Sequence, residues 1–249
     1  MRIAFLILTL AFSLEPSAFS QSLLWDFALK AADRVASAPP APGSYPTYVQ
    51  SNGKDSASGT THTITLPTVT AASCLVLGFR VVAVTVSSVT DSSGNTWLDC
   101  GQGQVIDDAG NRASIWVAKN ASAAASTVTV TVTVSGATTF RGAIAEFSHC
   151  STSAPVDQFG GGELNTQTTA TSAITTTTAN EALVVFCESD GERTWTAGAG
   201  FTELQVVPAA PNTKGYLEYR NVFSTGAYVG NASFDLASCA SAAVIVSLK

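Results

Sequence analysis

From Ser114 the chain reads SIWVAKN, then STVTVTVTV, then FRGAIAEF as far as Phe147, and this order returns in degenerate form 101 residues later. Ile115–Asn120 (IWVAKN) meets Tyr216–Asn221 (YLEYRN) at that offset, and Ala143–Phe147 (AIAEF) meets Val244–Leu248 (VIVSL). A repeat of this length constrains the fold more than any other feature, because each copy must form the same unit and the two units can cover one another. The copies carry strand signals. Val128, Val130, Val132 and Val134 alternate with Thr127, Thr129, Thr131 and Thr133, the period-two pattern of a strand with one face in a core.

Earlier parts of the copies correspond at an offset of 108, where Tyr48-Val49-Gln50 meets Val156-Asp157-Gln158 and Leu75-Val76-Leu77 meets Leu183-Val184-Val185. The opening strand of each copy is expected to lead into a Gly, Ser and Thr-rich loop. The runs Cys74–Val86 and Ala182–Cys187 are apolar without alternation, so they are expected as central strands covered on both faces. Asp91–Asp99 (DSSGNTWLD) and Gly198–Leu204 (GAGFTEL) share a glycine turn followed by an aromatic, with Phe201 standing where Trp97 stands. The face shared by Trp116 and Leu217 is expected to meet the core. Closing strands follow at Phe140–Phe147 and Ala242–Leu248. These signals predict an all-β chain, a Greek-key or jelly-roll type β-sandwich built from two tandem repeats, 47–154 and 155–249, packed as one body.

Residues 1–20 have the form of a secretory leader with cleavage after Ser20: Arg2, an apolar run from Ile3 to Phe12, then Ala18-Phe19-Ser20. Residues 21–46 predict a short amphipathic helix over Ser22–Ala36 and a spacer with Pro39, Pro40, Pro42 and Pro46. No apolar run is long enough for a spanning helix. A secreted or cell-surface location makes Cys74, Cys100, Cys150, Cys187 and Cys239 candidates for disulfides, with at least one left over and the pairing open. The net charge of −6 and pI near 4.8 argue against nucleic acid as a partner, since that mode requires clustered Lys and Arg.

The order VxDSSGNTW, SIWVAKNA, TVTVTV, AIAEFS and SAPVDQ, followed by a weaker second round, resembles a family of duplicated secreted β-sandwich modules of bacterial surface and phage structural proteins. The resemblance covers about residues 47–249. It implies a β-sandwich in an extracellular setting, and it brings no catalytic residues with it.

Chemistry-bearing residues are few. A Ser-His-Asp arrangement needs a histidine, and the chain has only His62 and His149, both read as surface or turn residues, with no GxSxG elbow. Glycoside hydrolysis needs two carboxylates facing one cleft, for which Glu146, Glu188, Asp190, Glu192 and Glu203 are available. Glu146 is expected to face outward from its strand, with Arg141 on the opposite face. No cofactor is expected. The acidic, glycine-containing stretches Asp107–Asn111 and Glu188–Glu192 have the character but not the regular spacing of calcium loops, which leaves structural calcium as the one ion reading.

Loops at one end of the sandwich, Asp91–Asn95, Asp107–Asn111 and Ser189–Trp195, offer Asp91, Asn95, Trp97, Asp107, Asp108, Asn111, Asp190, Glu192 and Trp195 as ligand-binding residues. Trp97 reads either as a core plug or as a stacking platform for a sugar ring. The leading functional reading is a secreted, non-catalytic structural or adhesive protein that contacts a glycan or a cell-surface protein through these loops. A β-sandwich enzyme acting on polysaccharide and a self-associating surface or filament subunit are the alternatives.

Overall fold

The computed structural model of the protein describes residues 45–249 apart from 101–104, 108, 125, 168 and 236–238. The expected leader, the N-terminal helix, most of the Pro-rich spacer and Asp108 lie outside the described residues. Fifteen strands run in chain order: β1 (Thr47–Leu66), β2 (Cys74–Val82), β3 (Val86–Asp91), β4 (Trp97–Asp99), β5 (Val105–Ile106), β6 (Asn111–Ala118), β7 (Val128–Ser148), β8 (Val156–Gln167), β9 (Thr169–Thr176), β10 (Glu181–Arg193), β11 (Trp195–Thr196), β12 (Thr202–Val207), β13 (Thr213–Val222), β14 (Gly226–Phe234) and β15 (Cys239–Leu248). Among the described residues there is no helix.

The first sheet has the order β1-β7-β2-β6-β4, with β3 added on β7 and β5 on β6. The second has the order β12-β13-β10-β15-β8, and a third joins β11-β14-β9. All the ladders are antiparallel.

Period-two alternation explains the layering. On β2, Cys74 and Val76 point to a central core shared with Ala182, Val184 and Phe186 of β10, so the two large sheets pack face to face. The alternate residues Leu75, Leu77, Phe79 and Val81 enter a second core with Ile64, Leu66 and the Val128–Val134 series. That core closes because the β1·β7 ladder shifts register at Ser56/Gly59 and Gly59/Thr61, and bulges of this kind bend a strand pair. The long strands therefore fold over the outer face of β2. On the other side Leu183, Val185 and Cys187 of β10 meet Ile174 of β9, Trp195 of β11 and Ala232 and Phe234 of β14 in a third core. β2 and β10 are covered on both faces, as their unbroken apolar runs predict.

Several expectations are corrected. The Gly, Ser and Thr-rich stretch after Gln50 is not a loop but part of the 20-residue strand β1, because the 21-residue β7 supplies a continuous ladder for it and small polar residues suit its solvent face. β7 itself has β1 along one side and β3, then β2, along the other, so its Val/Thr stretch, held between β1 and β3, is not an exposed edge. On β6 and β13 both faces are buried. Val117 pairs with Val76 and Tyr219 with Val184, an offset of 102 where the sequence match gives 101. That one-residue slip puts Trp116 against the outer core and Leu217 in the central one, so they do not share a face.

Candidate functional site

The loop after β3 is organised by one carboxylate. Asp91 accepts hydrogen bonds from Ser93 N (2.8 Å), Asn95 N (3.2 Å), Asn95 Nδ2 (2.9 Å) and Trp97 Nε1 (2.8 Å), while Gly94 turns the chain at φ 72°. Asn95 Oδ1 then accepts from Ser122 N at 2.9 Å. These bonds fix Trp97 with one side against the outer core and hold its neighbour Leu98 in solvent, 54% exposed.

Beside this loop the two large sheets part. A slot of about 360 Å³ is lined by Thr96, Trp97, Leu98, Val117 and Lys119 of the first sheet's edge and by Ser153–Val156 of the connector into β8. Its floor, Val117, belongs to the central core, and Val156 packs on that core. A polar recess of about 420 Å³ shares Thr96 and Lys119 with it and adds Gly94, Asn95, Asn120, Ser122 and Thr152. Lys119 Nζ donates to Ser153 O at 3.0 Å and bridges the edge strand and the connector. The opposite margin, where β1 meets β12, is closed. Gln205 Nε2 donates to Ser51 Oγ at 3.0 Å, Ser51 Oγ donates to Leu204 O at 3.3 Å, and Val207 packs so tightly on Gly53 that an added Cβ there would stand 2.8 Å from it.

The second group of expected ligand residues forms a structural knot instead. Asp107 is 3% exposed and is occupied by Ala109 N (3.0 Å), Asn111 N (2.8 Å) and Asn111 Nδ2 (2.7 Å). Asn111 Oδ1 accepts from Arg80, and Asn111 Nδ2 also reaches Asp190 at 3.3 Å. Arg80 Nε lies 3.1 Å from Glu188, and Arg80 Nη2 lies 3.7 Å from Asp190. One cation thus joins both large sheets, and burial together with the Asp107 carboxylate pushes Glu188 well above the usual carboxylate range against the pull of Arg80. Because its carboxylate serves its own loop and Asn111, Asp107 is not a free ligand for calcium.

Ser189–Trp195 is not an end loop either. Residues as far as Arg193 continue β10. Trp195 is 6% exposed, stacks on Tyr216 at 5.4 Å and donates from Nε1 to Thr213 O at 3.3 Å, so it is a core residue. Asp190 and Glu192 remain exposed. The structure therefore brings Trp97 to the slot and Asn95 to the recess beside it, with Asp91 behind them, and places Asp107, Asn111, Asp190, Glu192 and Trp195 elsewhere.

Glu146 does not face outward: it is 0% exposed and accepts from Gln50 Nε2 (2.6 Å), Thr70 N (2.8 Å) and Ser73 Oγ (2.8 Å). Three converging donors make that burial tolerable. His62 is buried as well, stacked on Phe140 at 5.0 Å, and burial lowers its pKa. His149 is exposed at a left-handed turn after β7. Lys119, Asn120 and the connector residues of the slot are not among the ligand-binding residues expected from sequence, since nothing local signals that residues near 97, 119 and 154 meet.

Fold and site together define an all-β protein of stacked antiparallel sheets with one open inter-sheet margin. No protein-family model matches the chain, and neither a curated protein nor a solved structure matches it.

Proposed function

We propose that the chain is a secreted, non-catalytic β-sandwich protein of structural or adhesive kind, made of two copies of one module, which holds a glycan at the slot between β4 and the connector 150–155. The observation that carries this reading is the pairing of an apolar slot with a polar recess: Leu98, Val117 and Pro155 lie beside Asn95, Asn120, Ser122, Thr152 and the Lys119 ammonium. A sugar ring presents an apolar C–H face and a rim of hydroxyls, and ligand sites commonly combine apolar walls with a few placed polar groups.

Duplication is supported by matching strand orders, β1-β7-β2-β6-β4 and β8-β15-β10-β13-β12. A hydroxyl–carboxyl pair also recurs with its members exchanged, as Ser73 with Glu146 and as Ser247 with Glu181. The resemblance to duplicated surface modules supports the extracellular setting.

The polysaccharide-enzyme reading is weaker. Glu146 and Glu188 are fully buried, Glu192 and Glu203 lie exposed on β10 and β12, and the residues lining the slot include no carboxylate. The self-associating reading gains no free strand edge from the Val/Thr stretch of β7, which pairs with β1 on one side and β3 on the other.

A glycan array followed by titration of the best ligand tests the proposal, using the wild type and the Leu98→Asp and Lys119→Ala variants. Binding that weakens at least about tenfold in Leu98→Asp, with an unchanged melting temperature, is expected. Absence of any glycan binding, or binding indifferent to both substitutions, overturns it.

A further inference from the structure

Cys74 begins β2, and its backbone lies opposite Phe147 of β7. Immediately after β7 ends, His149 takes a left-handed φ of 61° and turns the chain back, so that the Cys150 thiol donates to Phe147 O at 3.6 Å. The same residue therefore has Cys74 across the ladder from it and Cys150 over its carbonyl. Both cysteines lie in the central core, Cys74 at 0% and Cys150 at 7% exposure, and the nearby Cys150 side chain is the largest influence pushing the Cys74 thiol up. The other cysteines stand differently: Cys100 shares the central core but donates to Leu98 O at 3.7 Å, while Cys187 faces the third core and Cys239 packs on it.

We propose that Cys74 and Cys150 form a disulfide when the protein meets an oxidising medium, although both are thiols in this structure. Closure needs the two sulfurs brought to the disulfide length of about 2.05 Å, from side chains that already share Phe147 as a neighbour. The oxidant is a small-molecule disulfide. Cys150, the more accessible partner, attacks it as thiolate and releases one small thiol; Cys74 then loses its proton, displaces the second small thiol and closes the protein S–S bond. Two protein thiols are oxidised and one small disulfide is reduced, with the two protons passing to the departing thiols. Contact with the Cys150 thiol and burial both hold Cys74 well above the ordinary thiol range, which makes exchange slow in the folded protein and favours closure as the chain folds. The bond would pin the start of the connector whose residues Ser153–Pro155 wall the slot, a consequence that rests on the slot reading while the bond itself does not.

The test treats the full chain with a small-molecule disulfide, both folded and during refolding from denaturant. Free thiols are then alkylated under denaturing conditions, and unreduced peptides are mapped by mass spectrometry. A linked Cys74–Cys150 peptide pair, with Cys100 and Cys187 alkylated, is the expected result. Wild type is also expected to melt about 5–10 °C higher oxidised than reduced, a difference that Cys150→Ser abolishes. Alkylation of both Cys74 and Cys150 after refolding in the presence of the small disulfide, or linkage of either to another cysteine, overturns the proposal whatever the slot binds.

Discussion

The ring of Phe186 on β10 lies against the backbone of Gly78 on β2, across the central core: a Cβ built on Gly78 would stand 2.5 Å from Phe186 Cβ and 2.6 Å from its Cγ. Phe186 is fully buried, and Gly215 of β13 leaves room for the far end of the same ring, with 3.0 Å from a built Cβ to Cζ. Two glycines therefore make the socket that sets the spacing of the large sheets here. Gly78→Ala is expected to destabilise the protein by about 1–3 kcal/mol through overpacking. Phe186→Ala, which empties the socket, is expected to cost about 3–5 kcal/mol. Combining them should cost less than the sum, because the methyl enters space the ring has left. Urea unfolding of the three variants checks this, and strict additivity would contradict the contact.

That socket also marks the limit of what the chain discloses as a string of letters. The Val128–Val134 alternation and the apolar runs from Cys74 and Ala182 announce buried strands, because burial on one face or two is written directly in period and composition. The match at Ile115 and Tyr216 is visible but one residue out of register, since degenerate strands align by character while the ladder is set by hydrogen bonds to β2 and β10. Buried carboxylates are hidden for a different reason. Glu146 is satisfied by residues 96, 76 and 73 positions away, so its sequence neighbourhood shows only a polar residue in an apolar strand. Arg80 is likewise a charge inside an apolar run until β10 brings Glu188 beside it. The slot, made by an edge strand and a connector some 55 residues apart, has no local signature beyond Trp97 and its glycine turn.

Arg80 is one cation among Glu188, Asp107 and Asp190, and it is a buried charged tie between the large sheets. Removing it leaves buried acid without its counter-charge. Arg80→Ala is therefore expected to cost about 3–5 kcal/mol, whereas Arg80→Met combined with Glu188→Leu should recover most of that loss, since apolar replacements of both partners remove the desolvation problem. Chemical denaturation at pH 7 reads the comparison. A double variant no more stable than Arg80→Ala would show that the tie is not electrostatic in origin.

Glu218 gives the protein a pH dependence of the less common sign. Burial pushes its folded-state pKa up to about 8 against an ordinary value of 4.5, with the hydrogen bond from Gly198 N opposing. Between those values the unfolded chain releases the proton and the folded chain keeps it. This contribution to stability is complete below about pH 4.5 and is lost as pH rises to about 8, amounting to roughly 2–4 kcal/mol by neutral pH. Glu181, raised chiefly by burial, acts in the same direction. Asp157 acts oppositely: burial pushes it up, but Thr177, Glu181 and Lys249 hold it down to about 2. Its contribution is present above its ordinary 3.8 and is lost as pH falls to about 2. Maximum stability is accordingly expected near pH 4–5, below the usual range. Urea midpoints across pH 2–8.5 should fall on both sides of that point. Glu218→Gln, which keeps an acceptor for Gly198 N, should flatten the descent above pH 5 and raise the midpoint at pH 8.

β15 turns the C-terminal residues into the most exacting part of the fold. The strand lies between β10 and β8 in the second large sheet, and its two faces serve different cores: Val244, Val246 and Leu248 enter the central one, Ala243 and Ile245 the outer one. Lys249 N donates to Pro155 O at 2.8 Å, and Ser151 N donates to Lys249 O at 2.6 Å, so the strand also anchors the connector beside the slot. Deleting residues 242–249 would strip β8 of its ladder partner and leave β10 unpaired on one side. Burial of the four large apolar side chains alone is worth about 1.5–3 kcal/mol each, comparable in sum to the whole stability of a typical domain. The truncated chain is therefore expected to lose cooperative unfolding and near-ultraviolet dichroism, while Lys249→Ala, which removes only the 3.3 Å ion pair with Asp157, should lower stability by no more than about 1 kcal/mol. A soluble truncated protein with a sharp thermal transition would mean that the central core closes without its fourth strand, and the face-to-face packing of the two large sheets would have to be reassigned.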